Sequence, residues 1–235
     1  MLEYIVEFLD KWQTLISGVL ALFAALITIR AIHRQINLSE GHERRRREVS
    51  EDAARAVLPL TLSAISEYVQ QSSDKLHTLY NNSEEGFIPE KNRAIEFPPV
   101  PESAISSLQS MIEASTNREV VKVISKIIRR IQIHDSRTRS LVHHEQVGHS
   151  GYAMLVTVKN IVTVKDIEEH AIGSAIIHTL AESLFAYARF KSETPEEVSW
   201  NRVECSLLLL NWDNHIHTGL YESVATRKAR SALIE

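Results

Sequence analysis

The side chains best equipped for chemistry in this chain are its 11 histidines. Imidazole binds metals and moves protons near neutral pH, so its spacing to other ligands decides what it can do. His144-Glu145-Gln146-Val147-Gly148-His149 misses by one residue the His-Glu-x-x-His spacing that puts two zinc ligands on one helix face. The extra residue rotates the second ring by about 140° beyond a full turn. Gly148 also interrupts the helix, so no zinc site is expected there. His178 with Glu182, and Asp166 with His170, are each four residues apart. Such pairs can hold a metal inside a helical bundle, but a di-iron centre uses the Glu-x-x-His pair twice, and that pair is missing. Hydrogen bonds local to one helix are expected instead, with no metal and no cofactor. Cys205 is the single cysteine, so no intramolecular disulfide can form. The sequence also has neither a glycine-rich phosphate loop nor a Gly-x-Ser-x-Gly elbow.

Arg139 and His144 stand in an Arg-x4-His pattern, as do Arg129 and His134. This pattern resembles that of the HEPN ribonucleases, all-helical proteins with an Arg-x4–6-His motif late in a long helix. The resemblance implies His144 as a proton-transfer group and Arg139 as the stabiliser of a phosphorane-like charge. The formal net charge of −4 lacks the basic signature of RNA binders. A nuclease is therefore the alternative reading, and no nucleic-acid partner is expected in the leading one. The run Arg44, Arg45, Arg46, Arg47 has the chemistry to meet anionic lipid head groups. Glu40, Glu43, Glu48, Glu51 and Asp52 surround it, so helical ion pairs such as Arg44–Glu48 and Arg47–Glu51 compete for the same guanidinium groups.

The elements that must position these residues are helices. Glycine (7) and proline (6) are scarce over 235 residues, which disfavours a turn-rich β fold. Residues 12–29 (WQTLISGVLALFAALITI) carry no charge and lie between Lys11 and Arg30. That is just enough helix to cross a hydrocarbon core of about 30 Å, with Trp12 at the interface. The acidic start, with Glu3, Glu7 and Asp10, argues against a cleaved signal peptide, which opens basic. Arg30, Arg34 and Arg44 to Arg47 follow the run, against Lys11 before it. Basic flanks stay in the cytoplasm, so a short tail outside and a cytoplasmic body are expected. Trp12-Gln13-Thr14-Leu15, with Gly18, Ala21, Leu22 and Thr28, resembles a group of uncharacterised single-pass bacterial inner-membrane proteins with a WQTL-type anchor. The resemblance covers about the first 35 residues. It implies a bacterial cytoplasmic membrane and no particular activity.

The whole chain reads as all-α: a tail (1–11), a transmembrane helix (12–29), a membrane-proximal helical segment (30–80), a proline-containing connector (81–101) and a helical bundle (102–235). An interruption near Gly41 and a kink at Pro59 are expected, with Val57, Leu60, Ile65, Tyr68, Leu76 and Leu79 as the buried seam of the second segment. Phe97-Pro98-Pro99-Val100-Pro101 reads as an extended connector that packs Phe97 and Val100 on the body. A helix begins after Pro101. Thr116 and Glu119 form a capping box for the next, which buries Val120, Ile124, Ile127 and Ile131 and runs to about Gln146. Segment 148–151 is a turn. Segment 152–164 suits strand or helix, and lacks a strand partner. Helices over 165–191, from Thr194-Pro195 to about Asn214, and over 219–233 complete the bundle.

No catalytic motif stands out, so the leading expectation is a membrane-anchored helical interaction or scaffold protein. Its partners would be the lipid bilayer and an unknown protein or a second copy. Besides the nuclease, a phage or defence membrane effector with an oligomerising anchor is the other alternative.

Overall fold

The computed structural model describes residues 2–142, 162–213 and 217–229. Helix accounts for 80% of these described residues, and no strand occurs among them. The long helix α1 covers Leu2–Asn81, followed by α2 (Glu102–Ala114), α3 (Arg118–Val142), α4 (Val164–Ser183), the single turn α5 (Phe185–Ala188), α6 (Trp200–Leu209) and α7 (Thr218–Ala229). The chain divides into two units, one ending at Ser50 and one beginning at Glu51.

In the first unit α1 runs without interruption through Gly41, where a break was expected. No Cβ-sized neighbour lies near Gly41. The cost of one exposed glycine, about 1 kcal/mol, is too small to end a helix that good formers flank on both sides. Leu20, Phe23 and Ile27 stand exposed.

In the second unit the core is assembled around α4. That helix packs against α3, α6 and α7, and Ile167, Ala171, Ile172, Ala175, Ile177 and Ala181 are fully buried. The distribution of apolar residues all round α4 is thus that of a central core helix. α3 contributes Val120, Ile124, Ile127 and Ile131, fully buried as the spacing predicts, and continues the seam through His134, Thr138 and Leu141.

The expected seam of α1 holds at Ile65, Tyr68, Leu76 and Leu79, which are buried, and fails at its start. Val57 and Leu60 are 48% and 75% exposed, while Leu58, Leu62, Ile65, Val69, Leu76 and Leu79 are buried. Two apolar stripes run along this stretch, and the body covers only the second. Pro59 lies inside the helix. Phe97 and Val100 of the connector pack against the core. Ahead of them, Glu85 and Gly86 both take positive φ, 52° and 85°. The chain reverses there so that Glu84 and Phe87 exchange backbone hydrogen bonds, the conformation that favours glycine at a tight turn.

Two helix starts, those of α3 and α6, depart from the sequence reading, because groups of the expected first turn bond to partners remote in sequence. Asn117, not Thr116, caps α3: its Oδ1 accepts from the backbone N–H of Glu119 and Val120. The hydroxyl of Thr116 donates to Glu51 instead. α4 opens on a capping box between Thr163 and Asp166. α6 begins at Trp200 after Ser199, not at Thr194-Pro195. There the backbone N–H of Glu196 donates to the Ser183 carbonyl at the end of α4 (2.8 Å), which holds 194–199 off a helical path. The 165–191 helix divides at Leu184. The segment expected to turn at 148–151, and nearly all of 152–164, lie outside the described residues, as does the expected end of α3 at Gln146.

Candidate functional site

His178 stands on α4 where Ser206 of α6 and Glu182 of its own helix approach it. Ser, His and Glu together suggest a hydrolytic triad, but the geometry does not form one. A triad needs the serine on one ring nitrogen and the carboxylate on the other. Here His178 Nδ1 faces both Ser206 Oγ, at 3.1 Å, and Glu182 Oε2, at 3.9 Å. Ser206 is fully buried and shares a 2.8 Å hydrogen bond with Thr179, so no substrate reaches it. The expected His178–Glu182 hydrogen bond is replaced by a bond to Ser206, 28 residues away in sequence. Glu182 is half-exposed. Burial holds the His178 ring below its ordinary pKa, with Glu182 opposing.

His178→Ala is expected to lower stability by about 1–3 kcal/mol, because Ser206 loses a buried partner. Glu182→Gln should change stability little. Denaturant midpoints of the two variants check this, with elemental analysis alongside. A stoichiometric transition metal lost only from His178→Ala would overturn the structural assignment.

The Arg-x4-His pairs divide. Arg129 is exposed while His134 is buried, as five residues of helix require; they share no cleft. Arg139 is exposed and paired bidentately with Asp135, one turn back (3.1 and 2.9 Å). His144 lies outside the described residues, as does the whole His144–His149 stretch. The Asp166–His170 pair uses different atoms from those expected. His170 Nδ1 bonds to the Asp166 backbone carbonyl, because the Asp166 carboxylate accepts from the Thr163 N–H and hydroxyl.

Two sets of buried and partly buried rings emerge that spacing does not reveal. His134 of α3 meets Tyr68 of α1 edge-on (6.1 Å between centroids) and lies 6.4 Å from His170 of α4. His77 of α1 stacks on Trp212 at 4.0 Å, and His217 packs against Trp212 at 4.8 Å and Tyr80 at 4.6 Å. The indole N–H of Trp212 donates to Ser73, whose hydroxyl donates to the Leu210 carbonyl. Burial lowers the pKa of His77, His134, His170 and His217, that of His134 to about 4. Burial thus favours the neutral form of all four imidazoles. Among the described residues no three histidine, cysteine or carboxylate side chains gather as a metal site.

The remaining candidate surface lies on α1. Among the described residues two helices are long and apolar enough to cross a membrane, one near the amino end and the other Val164–Ala188. The apolar window of the second is 72% buried in the core, and that of the first is not buried at all. Beyond it, Arg47 pairs with Glu43 at 3.0 Å. The expected Arg47–Glu51 pair does not form, because Glu51 accepts from Ser115, Thr116 and Tyr187. The uninterrupted helix sets Arg44 about 21 Å along the axis from Arg30 at 1.5 Å per residue. No known protein family, curated protein or solved structure matches this chain.

Proposed function

We propose that this chain is a membrane-anchored helical scaffold. Its amino-terminal tail lies outside the cytoplasmic membrane of a bacterial cell, residues 12–29 span the bilayer, and the body stands in the cytoplasm, where it engages a protein partner or a second copy. The observation that carries the reading is the contrast between the two apolar helices. One is covered by the body, and the other exposes Leu20, Phe23 and Ile27 along a charge-free run. A run of that size left in water carries a large hydrophobic penalty that a bilayer removes.

The charge asymmetry across the run sets the orientation. The head-group layer is about 5–8 Å thick on each side of the hydrocarbon core. In an upright helix Arg30, His33 and Arg34 would fall within or next to it. Arg44 to Arg47 would stand beyond it, reaching lipid only if the helix tilts strongly.

The full chain is expected to stay with membranes after alkaline carbonate washing. A reporter active only in the cytoplasm, fused after Glu235, is expected to work. Release by carbonate would remove the anchor, and activity of a periplasm-specific reporter at the same position would invert the topology.

A further inference from the structure

We propose that α1 carries a site for one anionic phospholipid, with Arg30 and Arg34 on its phosphate and Leu20, Phe23 and Ile27 along an acyl chain. The site exists only if residues 12–29 span the bilayer, as proposed above. Leu20, Phe23, Ile27, Arg30 and Arg34 follow one another at spacings of three, four, three and four, which keeps them on one face of the uninterrupted helix. The three apolar members are exposed. Both arginines are exposed too, and among the described residues neither has a hydrogen bond or ion pair. They stand one turn apart, about 6 Å along the axis, so two long side chains can reach a single phosphate.

No aspartate or glutamate occurs between Lys11 and Glu40. Neither guanidinium therefore has an acidic neighbour within a helical turn, whereas Arg47 is paired with Glu43. Ile29, Ile32 and Ile36 are exposed about 150° round the helix from the arginine pair. The cations are thus gathered on one side and not spread as a collar. The guanidinium fork matches phosphate oxygens two at a time, and His33 beside them offers an N–H in either charge state. A zwitterionic lipid brings its own ammonium to compete for that phosphate; phosphatidylglycerol, an anionic lipid, has none. A second copy fits this face less well, because a parallel neighbour in the same membrane puts Arg30 and Arg34 against their own counterparts.

The test takes the full chain in nonionic detergent, adds phosphatidylglycerol and phosphatidylcholine of the same chain length in equal amounts, and compares their one-to-one adducts by native mass spectrometry. Flotation with phosphatidylcholine vesicles after carbonate washing checks insertion separately. The phosphatidylglycerol adduct is expected to exceed the other about fivefold or more. Arg30→Gln with Arg34→Gln is expected to remove most of that preference while the chain still floats. Replacing Arg44 to Arg47 by Gln is expected to leave it intact. Failure of the wild type to float overturns the membrane reading and the site with it. Flotation with equal adducts of the two lipids, or with none, overturns the site alone. So does a preference unchanged in the Arg30 and Arg34 variant, or one lost only when Arg44 to Arg47 are replaced.

Discussion

Replacing Arg55 by Ala is expected to destabilise the helical body by about 3–5 kcal/mol, the loss of two charge-assisted hydrogen bonds from a buried site. The guanidinium is 8% exposed. Its Nε donates to the Tyr187 carbonyl at 2.8 Å, and a terminal nitrogen donates to the Ser192 carbonyl at 2.7 Å. The plane lies over the rings of Tyr187 and Phe190, 4.0 and 4.3 Å from their centroids. Charge-assisted bonds of this kind are worth about 1.5–3 kcal/mol each, and removing the cation leaves both carbonyls without it. Phe190 has φ 57°, a conformation that costs a bulky residue of order 1–3 kcal/mol, and the stacking on Arg55 helps to hold it there. The ion pair with Glu193 contributes least, because that carboxylate is 88% exposed at 3.5 Å. Arg55→Lys keeps the charge and loses the planar fork, so it should fall between wild type and Ala. Glu193→Ala should stay within about 0.5 kcal/mol of wild type. Urea denaturation of the full chain in micelles provides the ranking. An Arg55→Ala midpoint equal to wild type would sink the argument.

Acid should unfold the body through its histidines. Burial takes the His134 pKa from 6.5 to about 4. A group whose folded pKa is depressed binds fewer protons folded than unfolded between the two values. Its contribution is therefore fully present above the unfolded value and is lost as pH falls through the folded one. For His134 the whole effect amounts to about 3 kcal/mol. His77, His170, His178 and His217 are lowered too, so their contributions have the same sign. Denaturant midpoints are expected to hold above about pH 7 and to drop steeply toward pH 4. His134→Leu should flatten that slope, since the residue no longer titrates. A midpoint independent of pH over this interval, or an unchanged slope in His134→Leu, would contradict the buried neutral ring.

Helix was legible because its cause is local. Ile124, Ile127 and Ile131 repeat at the helical period and are buried as that period requires. The proline connector could be read because proline removes a donor and restricts its neighbours wherever it sits. The capping positions were read less well. Thr116 and Thr194 have the right chemistry for N-caps, yet a hydroxyl or an N–H can also bond to a group far away in sequence. Glu51 takes the first, and the Ser183 carbonyl claims the backbone at Glu196, beside the second.

By itself the sequence determined the helical class, a charge-free apolar run of spanning length, the α3 seam and the position of the connector. All of these follow from composition and short-range periodicity. Only the tertiary structure decided which of two apolar stripes on α1 is covered, since Leu58 and Leu62 satisfy the same period as Val57 and Leu60. It also decided that the second apolar helix is core, that His178 answers to Ser206 and not Glu182, and that Arg55 lies between two rings 132 and 135 residues away. A helix repeats every 3.6 residues whichever face is buried. The choice of face, and of every partner across it, depends on elements that local spacing cannot see.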